Sequence, residues 1–211
     1  MNGVYVLSFF LVVLIIYHIL YKNENDVKLN KLIHTLNSMD LMRGWEPGYN
    51  VKCDTGDRVK SKSTTVSSSH CSCFVYAVCK KMNIKLIGTP EYSQYHLAHN
   101  QINWLKTEEA SKQGWREING SLKEKYLISQ GKANNGFLVI AGTNQDKEIR
   151  GHIAIVRPSN KSYFFIINEG PQVISSSYVN TYSSSLKEDF LYYKSEMKQF
   201  ENRTLFFYNI N

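Results

Sequence analysis

The longest apolar stretch of the chain lies at its N-terminus, where Val4 to Leu20 contains no Asp, Glu, Lys or Arg. At about 17 residues, it is at the lower limit for crossing a bilayer and longer than the apolar core of most signal peptides. Tyr21, Lys22 and Asn23 do not form a cleavage site of small residues. Residues 1–22 therefore predict a signal anchor, with a cleaved signal peptide as the alternative, and a secretory route.

The helical pattern continues after this segment, where Val27 to Met42 places apolar residues close to a helical period. Residues 23–43 are expected to form a helical spacer and residues 44–211 the folded domain. A further helix is expected to begin near His70 or Cys71, with Ser69 as its N-cap and Asn83 at its C-terminal end. Its apolar face would carry Phe74, Val75, Val78 and Met82. Two more helical stretches are predicted between Tyr92 and Gln130.

The second half of the chain has the pattern of strands, because its apolar runs are short, rich in aromatic and β-branched residues, and separated by turn residues. Helices followed by such strands predict an α+β fold with a central antiparallel sheet. The predicted strands are Phe137 to Ala141, Gly151 to Arg157, Ser162 to Asn168, Gln172 to Ser175 and Thr204 to Tyr208.

Composition limits the partners and cofactors of this fold. The formal net charge is +7, which favours anionic partners such as bacterial walls, nucleic acid or acidic lipid. Nucleic acid is disfavoured because the chain has neither a clustered basic stripe nor a known binding motif. The spacing of the four cysteines does not fit a zinc site. We expect no metal and no cofactor, because nucleophilic catalysis by a thiol needs neither. One disulfide is compatible with the spacing, for instance between Cys53 and Cys79.

A cysteine in the first turn of a helix lies where unpaired backbone N–H groups and the helix dipole stabilise a thiolate. Cys71 has this position in the segment Ser67 to Ile84. Cys73 points about 200° around the helix from it, and Cys79 is expected in the core. The sequence therefore indicates Cys71 as a nucleophile.

A thiolate nucleophile needs a base, which in proteins is usually a histidine. Among the six histidines, His152 opens a predicted strand directly after a glycine. Its ring could face a cleft while Ile153 and Ile155 point the other way into the core. His152 is therefore the predicted base.

The segments H-C-S-C-F-V-Y-A-V and G-H-I-A-I-V resemble the two main motifs of the NlpC-like and CHAP-like papain-fold peptidases. The resemblance covers about Gly44 to Tyr208. It implies a papain-like fold in which the helix bearing the cysteine packs on the antiparallel sheet. It also implies a cysteine amidohydrolase acting on peptidoglycan peptides, with Cys71 as nucleophile and His152 as general base. Cys73 departs from the pattern, since the family has glycine there.

The third member of the site is predicted from strand pairing. A hairpin centred between Pro158 and Ser162 would place Asn168 opposite His152, where its side chain could orient the imidazole. A small register error would substitute Glu169, and Gln172 is a weaker candidate. Tyr49 is a candidate for lining the cleft, because the family often has an aromatic residue before the cysteine.

Two other functions are compatible with the sequence. A thiol acyltransferase related to lecithin:retinol acyltransferase would share the chemistry, but in that branch the histidine precedes the cysteine, whereas Cys71 precedes His152. A non-catalytic wall-binding module on the same fold is disfavoured by the presence of both residues.

Overall fold

The computed structural model describes residues 22–62, 70–92, 94–143, 151–177, 179–191 and 203–211. The protein is a mixed α+β structure with an antiparallel sheet and helices on both sides of it. The expected α+β class is therefore confirmed. The predicted signal segment at residues 4–20 lies outside the described residues. Within the described ranges, no helix has the length and apolar character needed to cross a bilayer.

The main sheet has six strands in the spatial order β3-β8-β4-β5-β6-β7, and every pair is antiparallel. The strands β4 and β5 form its centre, and all their residues are buried. A separate two-stranded hairpin consists of β1 and β2. The strands are β1 (Tyr49–Val51), β2 (Arg58–Lys62), β3 (Trp115–Glu117), β4 (Val139–Thr143), β5 (His152–Val156), β6 (Gln172–Ser175), β7 (Thr181–Ser185) and β8 (Thr204–Asn209).

The helices differ in how their ends are stabilised. The helix α5 begins with a capping box between Ser121 and Glu124, and α4 begins with the Thr107 side chain accepting the Ala110 N–H. The helices are α1 (residues 22–37), α2 (Cys71–Met82), α3 (Leu97–Leu105), α4 (Glu108–Lys112), α5 (Leu122–Asn134), α6 (Tyr163–Glu169) and α7 (Leu186–Leu191), with a 3₁₀ turn at Gln94–His96.

The sheet separates two apolar cores, because the side chains of a strand alternate between its faces. On β5, Ile153 and Ile155 join the core formed with α1, α2 and α3. Ala154 and Val156 join the core formed with α5, α6 and α7. The central strands are therefore covered on both sides, which explains their nearly continuous apolar sequences.

Helix α1 belongs to the folded unit and is not a spacer outside it. Its Leu32 and Leu36 are fully buried in the same core as Phe74 of α2. A spacer would expose both faces to solvent, whereas this helix has a buried apolar stripe. The prediction of a helix was right, but the assignment of residues 23–43 to a separate spacer is corrected.

The predicted strand from Ser162 to Asn168 is wrong, since Tyr163–Glu169 forms α6. Only Ile166 of this helix is buried, and the residues before it are exposed. The predicted strand Gln172 to Ser175 is confirmed as β6. A helix therefore stands between β5 and β6, and the two strands are not joined by a short hairpin. In their antiparallel pairing, Ile155 lies opposite Ile174.

Candidate active site

Cys71 is the first residue of α2, as the sequence predicted. His70 occupies the N-cap position without a side-chain capping bond, and Ser69 lies outside the described residues. The helix ends at Met82, where Asn83 adopts the left-handed conformation with φ 61° and its N–H bonds to the last carbonyls. Helix α2 packs against β5 and β6.

The structure assigns different roles to the cysteines of α2. Cys73 forms a disulfide with Cys53, whereas Cys71 and Cys79 are outside any disulfide. The suggested pairing of Cys53 with Cys79 is therefore wrong. Cys73 and Cys79 are completely buried, and Cys71 keeps 4% of its surface exposed. Burial also raises the pKa of the Cys79 thiol. Cys71 is itself buried, but it is the thiol outside the disulfide that lies in the first turn of α2, where backbone N–H groups stabilise a thiolate.

His152 is the first residue of β5, and its Nε2 lies 2.9 Å from Oδ2 of Asp189 on α7. Both side chains are buried, with 2% of His152 and 1% of Asp189 exposed. The ring of His152 also packs edge-on against Phe190, with 4.4 Å between the ring centroids. A carboxylate and an aromatic ring therefore fix the position and orientation of the imidazole.

The Asp189 carboxylate has further donors on its second oxygen. Ser175 Oγ donates at 2.6 Å and Thr181 Oγ1 at 2.8 Å, both to Oδ1. Burial strongly opposes ionisation of Asp189, but the hydrogen bond and charge of His152 and these hydroxyl groups outweigh it. The pKa of Asp189 is consequently held below its usual value.

An ionised Asp189 determines which tautomer of His152 is favoured. The carboxylate accepts a hydrogen bond, so Nε2 carries the proton that is donated to it. The basic nitrogen is then Nδ1. In thiol and serine hydrolases a carboxylate or amide performs this same task of holding the imidazole in one tautomer.

Cys71 and His152 lie at the same end of the sheet, although not on the same side of it. The Gln101 amide of α3 donates to the Ser72 carbonyl at 3.1 Å. Two residues earlier, α3 lies against Gly151, where an added Cβ would come within 3.4 Å of the His99 backbone nitrogen. The first turns of α3 thus contact the residues next to Cys71 and His152.

Strand alternation decides which layer each of the two residues faces. His152 projects with Ala154 and Val156 toward the core that contains Phe190, and Cys71 belongs to the core of Ile153 and Ile155. The expectation that His152 points away from the two isoleucines was right. The expectation of an open cleft on its side is corrected, because α7 covers that face.

His70 precedes Cys71 and is completely buried. Its Nδ1 lies 2.9 Å from the Gln94 amide nitrogen, and its Nε2 lies 3.3 Å from the Glu46 carbonyl oxygen. An amide donor on one nitrogen and a carbonyl acceptor on the other require the neutral ring. Burial lowers the pKa of His70 accordingly. His70 therefore ties the start of α2 to the loop before β1.

Tyr49 lies on β1, where the Arg58 guanidinium stacks over its ring at 3.7 Å from the centroid. Arg58 also forms an ion pair with Glu46, the residue whose carbonyl faces His70. The hairpin that carries Tyr49 is thus held near the start of α2 by these contacts and by the disulfide from Cys53. The contact of Tyr49 with a substrate stays a prediction.

The structure does not place Asn168 opposite His152. Asn168 lies on α6, and its amide donates to the Phe164 carbonyl of the same helix at 2.8 Å. Glu169 ends that helix and is exposed, and Gln172 is tied to Ser183 on β7. Across the strand, His152 pairs with Thr143 of β4. The residue bonded to the imidazole is Asp189, which the sequence did not suggest.

A local signal for α7 was present in the sequence. Ser185 and Glu188 have the spacing of a capping box, and the Ser185 hydroxyl accepts the Glu188 N–H at 3.2 Å. Leu186 and Phe190 are one helical turn apart, both buried. These features predict a short helix with an apolar face. They do not reveal that Asp189 meets a histidine 37 residues earlier in the chain.

In the ranges that the structure describes, His, Cys, Asp and Glu do not cluster in a way that could hold a metal ion. Comparison of the chain with protein-family models and with curated proteins finds no match.

Proposed function

We propose that this chain is a cysteine amidohydrolase of the NlpC-like and CHAP-like papain-fold type that cleaves amide bonds in the stem peptides of peptidoglycan. The observation that carries the proposal is the buried pair of His152 and Asp189, at the end of the sheet where α2 begins with Cys71. The two sequence motifs and the packing of α2 on the antiparallel sheet also support it.

In this mechanism His152 Nδ1 accepts the proton of the Cys71 thiol around the end of the sheet. This transfer requires the two side chains to approach each other when substrate binds, because they lie on opposite faces of the sheet. The sulfur attacks the amide carbonyl carbon, and a carbon–sulfur bond forms while the carbonyl electrons move to oxygen. The oxyanion forms at the N-terminus of α2, where backbone N–H groups point toward it. The carbon–nitrogen bond then breaks as the imidazolium protonates the leaving amine.

The thioester is removed by water in the second half of the reaction. His152 takes one proton from the water, and the hydroxide oxygen bonds to the thioester carbon. The carbon–sulfur bond breaks, the sulfur recovers the proton, and a carboxylic acid is released. Asp189 remains ionised throughout and keeps Nε2 protonated. The proposed site requires neither a metal nor a cofactor.

The basic composition and the apolar segment at residues 4–20 support a location at the bacterial envelope. A net charge of +7 suits the anionic cell wall. We propose that the chain follows the secretory route and reaches its substrate either anchored by this segment or released from it.

Digestion of purified peptidoglycan by the full chain, with mass spectrometry of the soluble products, tests the proposal. We expect new peptide termini with the wild type, none with Cys71→Ala, and near wild-type products with Cys79→Ala. Cys79 is the matched control because it is the other thiol of α2 outside the disulfide. Hydrolysis by Cys71→Ala would refute the mechanism. Acyl transfer to an added amine without hydrolysis would identify an acyltransferase.

A further inference from the structure

Three consecutive aromatic residues at the start of α6 are exposed to solvent. Tyr163, Phe164 and Phe165 have 66%, 68% and 55% of their surface exposed, and we call them the aromatic triplet. The next residue, Ile166, is buried and holds α6 on the core. Grouped exposed aromatic side chains of this size mark an interaction surface more often than isolated exposed residues do.

The triplet lies at the end of the sheet opposite the proposed active site. The chain enters α6 through a turn that follows β5, and Ser159 in this turn exchanges two hydrogen bonds with Asn134 at the end of α5. Cys71 and His152 are at the end where β5 begins. The length of β5 therefore separates the triplet from the site.

Helix α1 crosses this same end of the sheet. The backbone around Lys28 and Leu29 lies so close to Gly136 that an added Cβ there would come within 2.4 Å of the Leu29 nitrogen. At the other end of α1, Asn37 accepts a hydrogen bond from Arg157, which follows β5. Helix α1, which follows the apolar segment 4–20 in the sequence, thus lies at the end of the sheet that carries the triplet.

We propose that the segment 4–20 anchors the chain in a membrane and that the aromatic triplet lies in the interfacial region of this membrane. The proposed active site then faces away from the bilayer. Aromatic side chains are favoured at the level of the lipid headgroups, where the rings are partly buried and the polar edges stay hydrated.

Local charge and exposure agree with an anionic lipid surface as the partner. Lys161 lies two residues before Tyr163, and Lys132 lies on the last turn of α5 with its amine over the Phe137 ring. Val27 of α1 adds another exposed apolar side chain, with 66% of its surface accessible. Basic residues beside apolar ones are typical of surfaces that bind acidic lipid.

Depth-dependent fluorescence quenching tests this inference with the full chain. The three native tryptophans are buried, whereas Phe164 is exposed. Phe164→Trp therefore adds a fluorescent side chain that lipid can reach, unlike the native tryptophans. The variant is reconstituted in vesicles of phosphatidylcholine and phosphatidylglycerol, with and without lipids brominated near the top of the acyl chains. We expect brominated lipid to reduce the added emission by about half or more.

The matched control is Val59→Trp, at an exposed position of the hairpin near the proposed site. Its added emission should be the same with both lipids, although the segment 4–20 is identical in the two variants. Quenching of Val59→Trp alone, quenching of neither reporter, or failure of the chain to float with vesicles would each overturn the inference. A dimer in detergent that Phe164→Ser dissociates would assign the triplet to a second copy of the chain.

Discussion

The imidazole of His152 and the carboxylate of Asp189 form a hydrogen-bonded pair with 2.9 Å between Nε2 and Oδ2. Burying two such groups is unfavourable unless their polar atoms are satisfied. Asp189 meets this condition through the hydroxyl groups of Ser175 and Thr181. In thiol hydrolases a carboxylate or amide also holds the imidazole in one orientation. Asp189 is therefore the first residue to test.

If the proposed function holds, Asp189→Asn lowers kcat for peptidoglycan hydrolysis by roughly 10²- to 10⁴-fold, because an amide can stabilise the wrong tautomer of the imidazole that we propose as the base. Steady-state hydrolysis rates across several substrate concentrations would separate kcat from KM. We expect KM to change little, since Asp189 is buried and acts through His152.

The control for this prediction is Asn168→Ala, which changes the residue that sequence reasoning had placed beside His152. Asn168 bonds only within α6 in the described contacts, so its loss should leave kcat within about twofold of the wild type. A large loss with Asn168→Ala and a small one with Asp189→Asn would reverse the assignment.

The difference between Asn168 and Asp189 shows where sequence reasoning fails at this site. The start of α2 was predicted to within one residue of Cys71, because local periodicity marks the helix. The start of β5 at His152 was predicted from the preceding glycine. The partner of His152 could not be found locally. The prediction of Asn168 assumed a short hairpin between β5 and β6. Because α6 stands between these strands, their pairing register differs from that of a short hairpin, and Asn168 does not lie opposite His152.

The misassigned segment Tyr163–Glu169 shows the corresponding limit for the fold. Aromatic and β-branched residues favour strands, so Y-F-F-I-I predicts one from propensity alone. The structure makes the segment a helix with Ile166 as its buried contact. By contrast, β6 was predicted with its observed bounds, because turn residues flank it on both sides.

We predict that iodoacetamide labels Cys71 at least tenfold faster than Cys79 in the folded protein at mildly acidic pH. Cys79 is completely buried and its pKa is raised, so almost no thiolate is available there. Cys53 and Cys73 are protected as a disulfide. Peptide mapping by mass spectrometry after timed labelling gives both rates. Similar rates for the two thiols would argue against an activated Cys71.

The disulfide between Cys53 and Cys73 is predicted to stabilise the fold. It joins positions 20 residues apart and fastens the β1–β2 hairpin to the first turn of α2. In the chain-entropy description, a loop of this size contributes about 3 kcal/mol to the free energy of unfolding. The double variant Cys53→Ser/Cys73→Ser should lose that amount in urea unfolding measurements.

Wild-type protein treated with a reductant provides the comparison for the disulfide prediction. Its urea midpoint should move to that of the double variant, and the reductant should not shift the variant itself. Both forms should also be cleaved faster by protease within the hairpin, because the covalent link between the hairpin and α2 is gone. A reductant-induced shift of equal size in the double variant would show that the bridge is not the cause.

We predict that His70 makes the protein less stable in mild acid. Burial holds its folded-state pKa below the unfolded value of about 6.5, so the unfolded chain binds a proton that the folded chain does not. The free energy of unfolding is therefore unaffected by this group above pH 6.5. It falls as the pH drops below 6.5, by at most about 1.4 kcal/mol per pH unit, until the folded-state pKa is reached.

The variant His70→Gln removes the titrating imidazole. Its amide still offers an acceptor for the Gln94 side chain and a donor for the Glu46 carbonyl. At pH 7.5 we expect the variant to be less stable than the wild type, because the imidazole is packed and doubly hydrogen-bonded. Between pH 7.5 and 5.5 the difference should shrink, since only the wild type loses stability through His70. The other histidines are common to both chains and cancel. Urea unfolding at the two pH values measures the difference, and a constant value would mean that His70 is not the group that titrates.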